Sequence, residues 1–202
     1  MEFEEVVRSR HMVRNFTTAA VADQLVLELL DLARRAPSAG HTQGTEFLVL
    51  GKDHTTRFWD LTLPSGRRSD FAWPGLLEAP VLVLPLASRA AYLQRYSEPD
   101  KAGSLYGADP ASWQVPFWDV DCAFATMSLL LAAHDRGLGA LFFALARGRA
   151  EVLEEFEIPP EFQPIGVVAL GWPAPHRRSS SAQRGRRATS ELVHWGRYGE
   201  RR

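Results

Sequence analysis

Two clusters of cations stand at opposite ends of the chain: Arg8-Ser-Arg-His-Met-Val-Arg14 near its start and Arg184-Gly-Arg-Arg187 near its end. A guanidinium is planar, permanently charged and matched to phosphate by paired hydrogen bonds, so the chemistry either cluster offers is the grip of an anion. Arg10 and Arg14 are four residues apart, and on a helical or nearly helical backbone both would project from one face toward one anion. Their plainer reading is a solvated face. A third candidate is Ala36-Pro-Ser-Ala-Gly-His-Thr-Gln43, where a rigid Pro37 and a permissive Gly40 let backbone groups approach a flat ligand. His41 and Gln43 would add side-chain hydrogen bonds; the plainer reading is an ordinary helix end and loop.

No familiar catalytic machine is spelled out. GxGxxG, the Walker-type GxxxxGKS/T, HExxH and GxSxG are all missing, and the six His are scattered. Cys122 is the only cysteine, which rules out a disulfide framework and a Cys-built metal site, and no metal site is expected. It reads as an inert core thiol. His134 beside Asp135 reads as a cation suited to the C-terminal end of a helix.

The elements that must position these residues are written in the apolar spacing. Phe3, Val6 and Val7 predict a short first helix, and Gln24 to Ala36 an amphipathic helix with Asp23 as N-cap, stopped by Pro37. Glu46 to Leu50, Pro80 to Leu86, Gly139 to Ala146 and Pro164 to Gly171 predict four short buried strands. Asp119 to Asp135 predicts a long helix buried on most sides and stopped by Gly137, and Arg149 to Glu157 a charged helix. Helices interleaved with strands give an α+β or α/β sandwich around the long helix. Residues 51–79 and 87–118 read as long connections rich in aromatics, which could line a pocket or simply pack beneath loops.

At 202 residues, 46% hydrophobic and 23% charged, the chain reads as a globular protein of one domain, two at most. No run is long and apolar enough for a membrane span, and the acidic N-terminus lacks a signal-peptide pattern, so a cytoplasmic setting is expected. The net charge of −1 conceals an asymmetry: 21 of the 23 basic residues are Arg, the others being Lys52 and Lys101, and eight Arg fall in the last 26 residues. That raises a phosphate partner, while the near-neutral total argues against a nucleic-acid binder.

Taken in order, Arg10-x-x-x-Arg14-x-Phe16, Ala36-Pro-Ser-Ala-Gly-His-Thr-Gln43, the strand Phe47 to Leu50, Gly137-Leu-Gly-Ala140, Pro164-Ile-Gly-x-x-x-Leu-Gly171 and Arg184-Gly-Arg-Arg187 leading to Glu191-Leu-Val-His194 resemble the nitroreductase family of FMN-dependent oxidoreductases. The resemblance spans nearly the whole chain. It implies one α+β domain over residues 1–202, with variable connections at about 51–79 and 87–118 and a basic extension at about 173–202. It further implies an interlocked homodimer with FMN at the subunit interface. NAD(P)H would reduce the flavin and then leave, and an electron-poor aromatic acceptor of nitroarene or quinone type would enter the same cleft. Flavin N5 would carry the hydride, so no catalytic side chain is expected.

Carried over by position, the resemblance assigns Arg10, His11 and the backbone near Met12 to the FMN phosphate, with Arg184, Arg186 and Arg187 completing that site from the tail. Arg14 falls near the ribityl chain and pyrimidine edge. Pro37, Ser38 and Ala39 fall on a turn that meets the ring from the partner subunit, with Gln43 and His41 beside it, and Phe143, Ala144 and Leu145 fall near N5. This chain departs from the family pattern at Met12, where Ser is frequent, and at His41, where Asn is usual. Gly44 and Thr45 stand where Pro and an aromatic are usual, and Ala188 where Pro is common. His41 could tune the flavin or serve only as a hydrogen-bond partner. Alternatives of other kinds are a flavin binder without turnover and a related flavoenzyme that dehydrogenates, dehalogenates or breaks down flavin.

Overall fold

The computed structural model describes residues 1–51, 53–107, 109–175 and 184–202. Lys52 and part of the polar tail, including Arg177 and Arg178, lie outside them. Its centre is β2 (Val81–Ser88), buried along its whole length. The strand's period of two sends Val81 and Val83 to one core, with Leu29, Ala33, Leu129 and Ala133, and Leu82, Leu84 and Leu86 to the other, with Phe58, Trp59 and Val152. A strand covered on both faces reads as a continuous apolar run rather than an alternating one, which is why this segment carries so little polarity.

The sheet runs β1-β2-β5-β3, with β1 (Thr45–Gly51), β3 (Gly139–Phe143) and β5 (Val167–Gly171), and β4 (Phe162–Pro164) pairs with β2. Every pairing is antiparallel, which settles the class as α+β. One face carries α2 (Asp23–Ala33) and α5 (Phe117–Asp135); the other carries α3 (Asp53–Thr62) and α6 (Arg149–Glu155). The remaining helices are α1 (Phe3–Ser9), α4 (Arg89–Arg95) and α7 (Thr189–Leu192).

Several expectations need correction. Asp23 is the first helical residue of α2, not its cap, and the helix ends at Ala33, before Pro37. The two long connections contain α3 and α4: the Thr-rich α3 has little helical propensity and is held by the burial of Phe58 and Trp59, whereas α4, Arg-Ala-Ala-Tyr-Leu-Gln-Arg, is made of good helix formers, is capped by Ser88 and buries Tyr92. Pro164 to Gly171 is not one strand but β4 and β5, interrupted at Gly166, where a Cβ would lie 2.5 Å from the Phe142 ring. β1 is an edge strand and only partly buried. β3 stops at Phe143 and α6 at Glu155. The long helix does end at Gly137 (φ 76°): Leu138 N–H donates to Ala133 and Gly137 N–H to His134, the paired bonds of a Schellman cap. Within the chain, however, only one side of α5 is covered, and Phe124 and Met127 stay 49% and 41% exposed.

Gly44 is fixed by packing. A Cβ there would lie 2.7 Å from Cε2 of Tyr92, a ring that is fully buried and cannot yield. Gly44→Ala is expected to cost about 1–3 kcal/mol of stability, as overpacking does. A shift of the urea unfolding midpoint would measure it, and an unchanged midpoint would show that the ring relaxes freely.

Candidate functional site

Beyond Ser9 the chain extends rather than coils: Arg10 adopts φ −57° and ψ 129°, and Val13 N–H donates to the Ala140 carbonyl at 2.9 Å. Arg10 and Arg14 therefore sit on a stretch laid along β3, and the shared helix face anticipated for them does not form. The approach is close because Gly139 lacks a side chain; a Cβ there would meet Val13 Cγ1 at 2.9 Å. Met12 packs into both cores. His11 is exposed, with Nδ1 3.2 Å from the Ser9 carbonyl and its ring edge-on to His134. His134 Nε2 lies 2.7 Å from Ser9 Oγ, and burial, with the nearby His11 and Arg10, holds its pKa below the usual value. That disfavours the cation expected at this helix end.

Arg14 is half-buried, its guanidinium 5.3 Å from the centre of the Trp73 ring. It borders a cavity of about 440 Å³ together with Phe143, Ala144 and Leu145 at the end of β3. Four expected site residues thus meet around one space. Aromatic walls complete it: Trp59, stacked on Phe143 at 5.7 Å and 11°, with Phe58, Phe71 and Trp73. Arg14 and Arg147 are the charged residues of the lining, and no carboxylate joins them. Trp59 Nε1 is the one buried side-chain polar atom among the described residues that has no hydrogen-bond partner.

The turn at 37–43 stands apart, on a smaller cavity of about 160 Å³ bordered by Pro37, Ser38, Gln43 and Asp121. Three of its residues are left-handed, Gly40 (φ 62°), His41 (φ 55°) and Gln43 (φ 55°), a conformation unusual for side-chain-bearing residues. Hydrogen bonds enforce it. Ser38 Oγ accepts from Gln43 N–H at 3.0 Å, and Ala39 N–H donates to Asp121 Oδ2 at 2.8 Å. The same carboxylate oxygen accepts from Tyr92 Oη–H at 2.7 Å; burial and that bond push the phenol's pKa up. His41 is exposed. Next to Asp121 in α5, Cys122 is fully buried and its thiol is pushed up to about 12 by desolvation, as an inert core cysteine should be.

Arg184, Arg186 and Arg187 are exposed. Arg187 bonds the Glu191 carbonyl at 3.0 Å, and among the described residues no hydrogen bond or ion pair ties 184–202 to the rest of the chain. The single chain thus joins Arg14 to residues 143–145 but leaves the turn and the tail arginines separate from them. The aromatic connections divide in the same way. Trp59 and Trp73 line the cavity beside Arg14, whereas Tyr92, Tyr106, Trp113, Phe117 and Trp118 pack on one another as a separate cluster. Asp121 had no signal in the sequence beyond a charge inside an apolar helical run.

The profile of the Nitroreductase family matches residues 7–172. A protein of Methanothermobacter thermautotrophicus, provisionally named an NADH dehydrogenase/NAD(P)H nitroreductase, is 26% identical over 178 residues, spanning 86% of this chain and 78% of its own. Among solved structures, a nitroreductase family protein of Streptococcus pneumoniae superposes with a TM-score of 0.71 at 21% identity, over 96% of this chain and all (100%) of that one. A provisionally named nitroreductase of Desulfovibrio desulfuricans, solved in complex with FMN, gives 0.69 at 23% identity over 98% of each chain. With the family profile running from α1 through β5, the chain belongs to the nitroreductase family.

Proposed function

We propose that this chain is an FMN-dependent oxidoreductase that takes electrons from NAD(P)H and passes them, by a ping-pong cycle, to an electron-poor aromatic of nitroarene or quinone type. The observation that carries this reading is the setting of Arg10 and Arg14. Arg8, Arg34, Arg35, Arg57, Arg68, Arg95, Arg136 and Arg187 each reach a carboxylate. Arg10 and Arg14, on the stretch laid along β3, reach none among the described residues and, unlike the equally unpaired Arg67, Arg89 and Arg147, are half-buried rather than exposed. Half-buried cations without counter-ions suit a bound phosphate and a ring that gains negative charge. The residues present therefore fit FMN.

Bound there, FMN supplies hydride transfer through N5. Arg10, His11 and the backbone at Met12 grip the phosphate, with Arg184, Arg186 and Arg187 closing over it. Arg14 sets a fixed positive charge by the pyrimidine edge, which favours the reduced cofactor. Backbone groups at Phe143, Ala144 and Leu145 border the reactive edge of the ring. Pro37, Ser38, Ala39, His41 and Gln43 meet the ring from a second copy of the chain, because within one copy they face a different cavity. The aromatic walls exclude water and keep the hydride path dry.

A second copy also accounts for α5. Val120, Phe124, Met127 and Leu131 form an apolar stripe at helical spacing that the single chain leaves partly or largely exposed. We place the dimer contact on that stripe and treat residues 1–202 as one flavin-binding unit.

Purified protein is expected to be yellow and to release FMN on denaturation, and a colourless protein that cannot be reconstituted with FMN would overturn the reading. Arg10→Ala with Arg14→Ala is expected to weaken FMN binding by about 100-fold, since each lost charge-assisted bond costs about 1.5–3 kcal/mol. Circular dichroism should stay native; equal affinity in a flavin titration would place the phosphate elsewhere. Phe124→Arg is expected to give a monomer that has lost its flavin, as light scattering and absorbance would report, and a flavin-replete monomer would show that one copy suffices.

A further inference from the structure

The cavity at the end of β3 carries more charge than a bound flavin would consume. Its lining pairs an almost wholly apolar surface with two guanidiniums and no carboxylate. Arg14 is assigned to the cofactor. Arg147, at the mouth just past β3, has no hydrogen-bond or ion-pair partner among the described residues and no role in that assignment. Low-dielectric walls strengthen the pull of such a charge on an incoming anion. Trp59 lines the cavity as a ring: its Nε1 is itself buried out of reach of water, so it offers a ligand no polar contact. Thr62, also in the lining, already donates its hydroxyl to the Phe58 carbonyl at 2.9 Å, which leaves the guanidinium of Arg147 as the polar group free to meet an incoming ligand.

We propose that the cavity selects its acceptor as a flat aromatic anion. The ring lies against the aromatic walls and its carboxylate is held by Arg147. Arg147 is then a specificity-determining residue. This rests on the flavoenzyme reading for the identity of the ligand as an electron acceptor, but the selection itself is a property of the cavity and is read by binding alone.

The test compares 4-nitrobenzoate with its methyl ester, which keeps the ring and nitro group and removes the charge. Both are titrated calorimetrically into the protein as purified, without NAD(P)H, so that no turnover occurs. The acid is expected to bind about ten-fold more tightly than the ester, with an advantage that shrinks as salt is raised. In Arg147→Ala the two affinities should converge while the flavin content measured by absorbance matches the wild type. Equal binding of acid and ester by the wild type would overturn the proposal, as would loss of flavin from Arg147→Ala, which would make Arg147 a cofactor residue. Wild-type protein lacking flavin would overturn the flavoenzyme reading instead, and the ratio of acid to ester binding would still decide the selection.

Discussion

Asp121 is a carboxylate 5% exposed with no cation in ion-pair reach among the described residues. A charge so placed is tolerable only if hydrogen bonds replace the water it has lost. The two donors that do so come from distant parts of the chain: Ala39 N–H from the turn after α2 and Tyr92 Oη–H from α4. Each of them fixes something further. The bond to Ala39 anchors a turn that contains three left-handed residues and would not hold that shape alone. The bond to Tyr92 draws a large ring into the space beside Gly44, which must then lack a side chain.

Arginine is divided between two kinds of work. Most pairs described are exposed, such as Arg8 with Glu4 and Arg35 with Asp31, where solvent screening leaves little net stabilisation. Such residues keep the surface soluble. Around β3 the pattern changes: Arg14 rests on Trp73, Arg147 borders the same cavity, and neither meets a carboxylate among the described residues. Placing acids there would have been easy in a chain with 24 Asp and Glu. Their absence leaves a positive region over an apolar cavity, the environment in which a planar ligand that gains charge is best stabilised.

Much of this architecture is legible in the sequence. The buried run at 80–86, the long helix with its stop at Gly137 and the apolar segments around β1, β3 and β5 follow from periodicity and turn chemistry. What periodicity misses is held by tertiary contacts. α3 is begun by Asp-His-Thr-Thr, poor helix formers, and exists because Phe58 and Trp59 reach the core. The helix face expected for Arg10 and Arg14 fails because the chain must run extended to lie along β3, a constraint written in Gly139, more than a hundred residues away. The site residues named by resemblance lie on loops and strand ends, where local spacing says little. The structure sorts them by asking which ones share a cavity.

That sorting leads to the last step. Arg14 and residues 143–145 open on one side of the sheet's end, while the 37–43 turn is held by α5 against a cavity of its own. α5 carries both the carboxylate that shapes this turn and, on the face turned away from its own core, the uncovered stripe of Phe124 and Met127. Docking that stripe on a second copy would therefore fix the position of the turn relative to the other subunit's cavity through one rigid helix. The same helix that buries the core would then set the geometry of a site shared by two copies, and holding the turn in place would give the buried carboxylate a role that offsets its desolvation. Replacing Asp121 by an apolar residue could relieve that cost, but the turn would lose the bond that aims it.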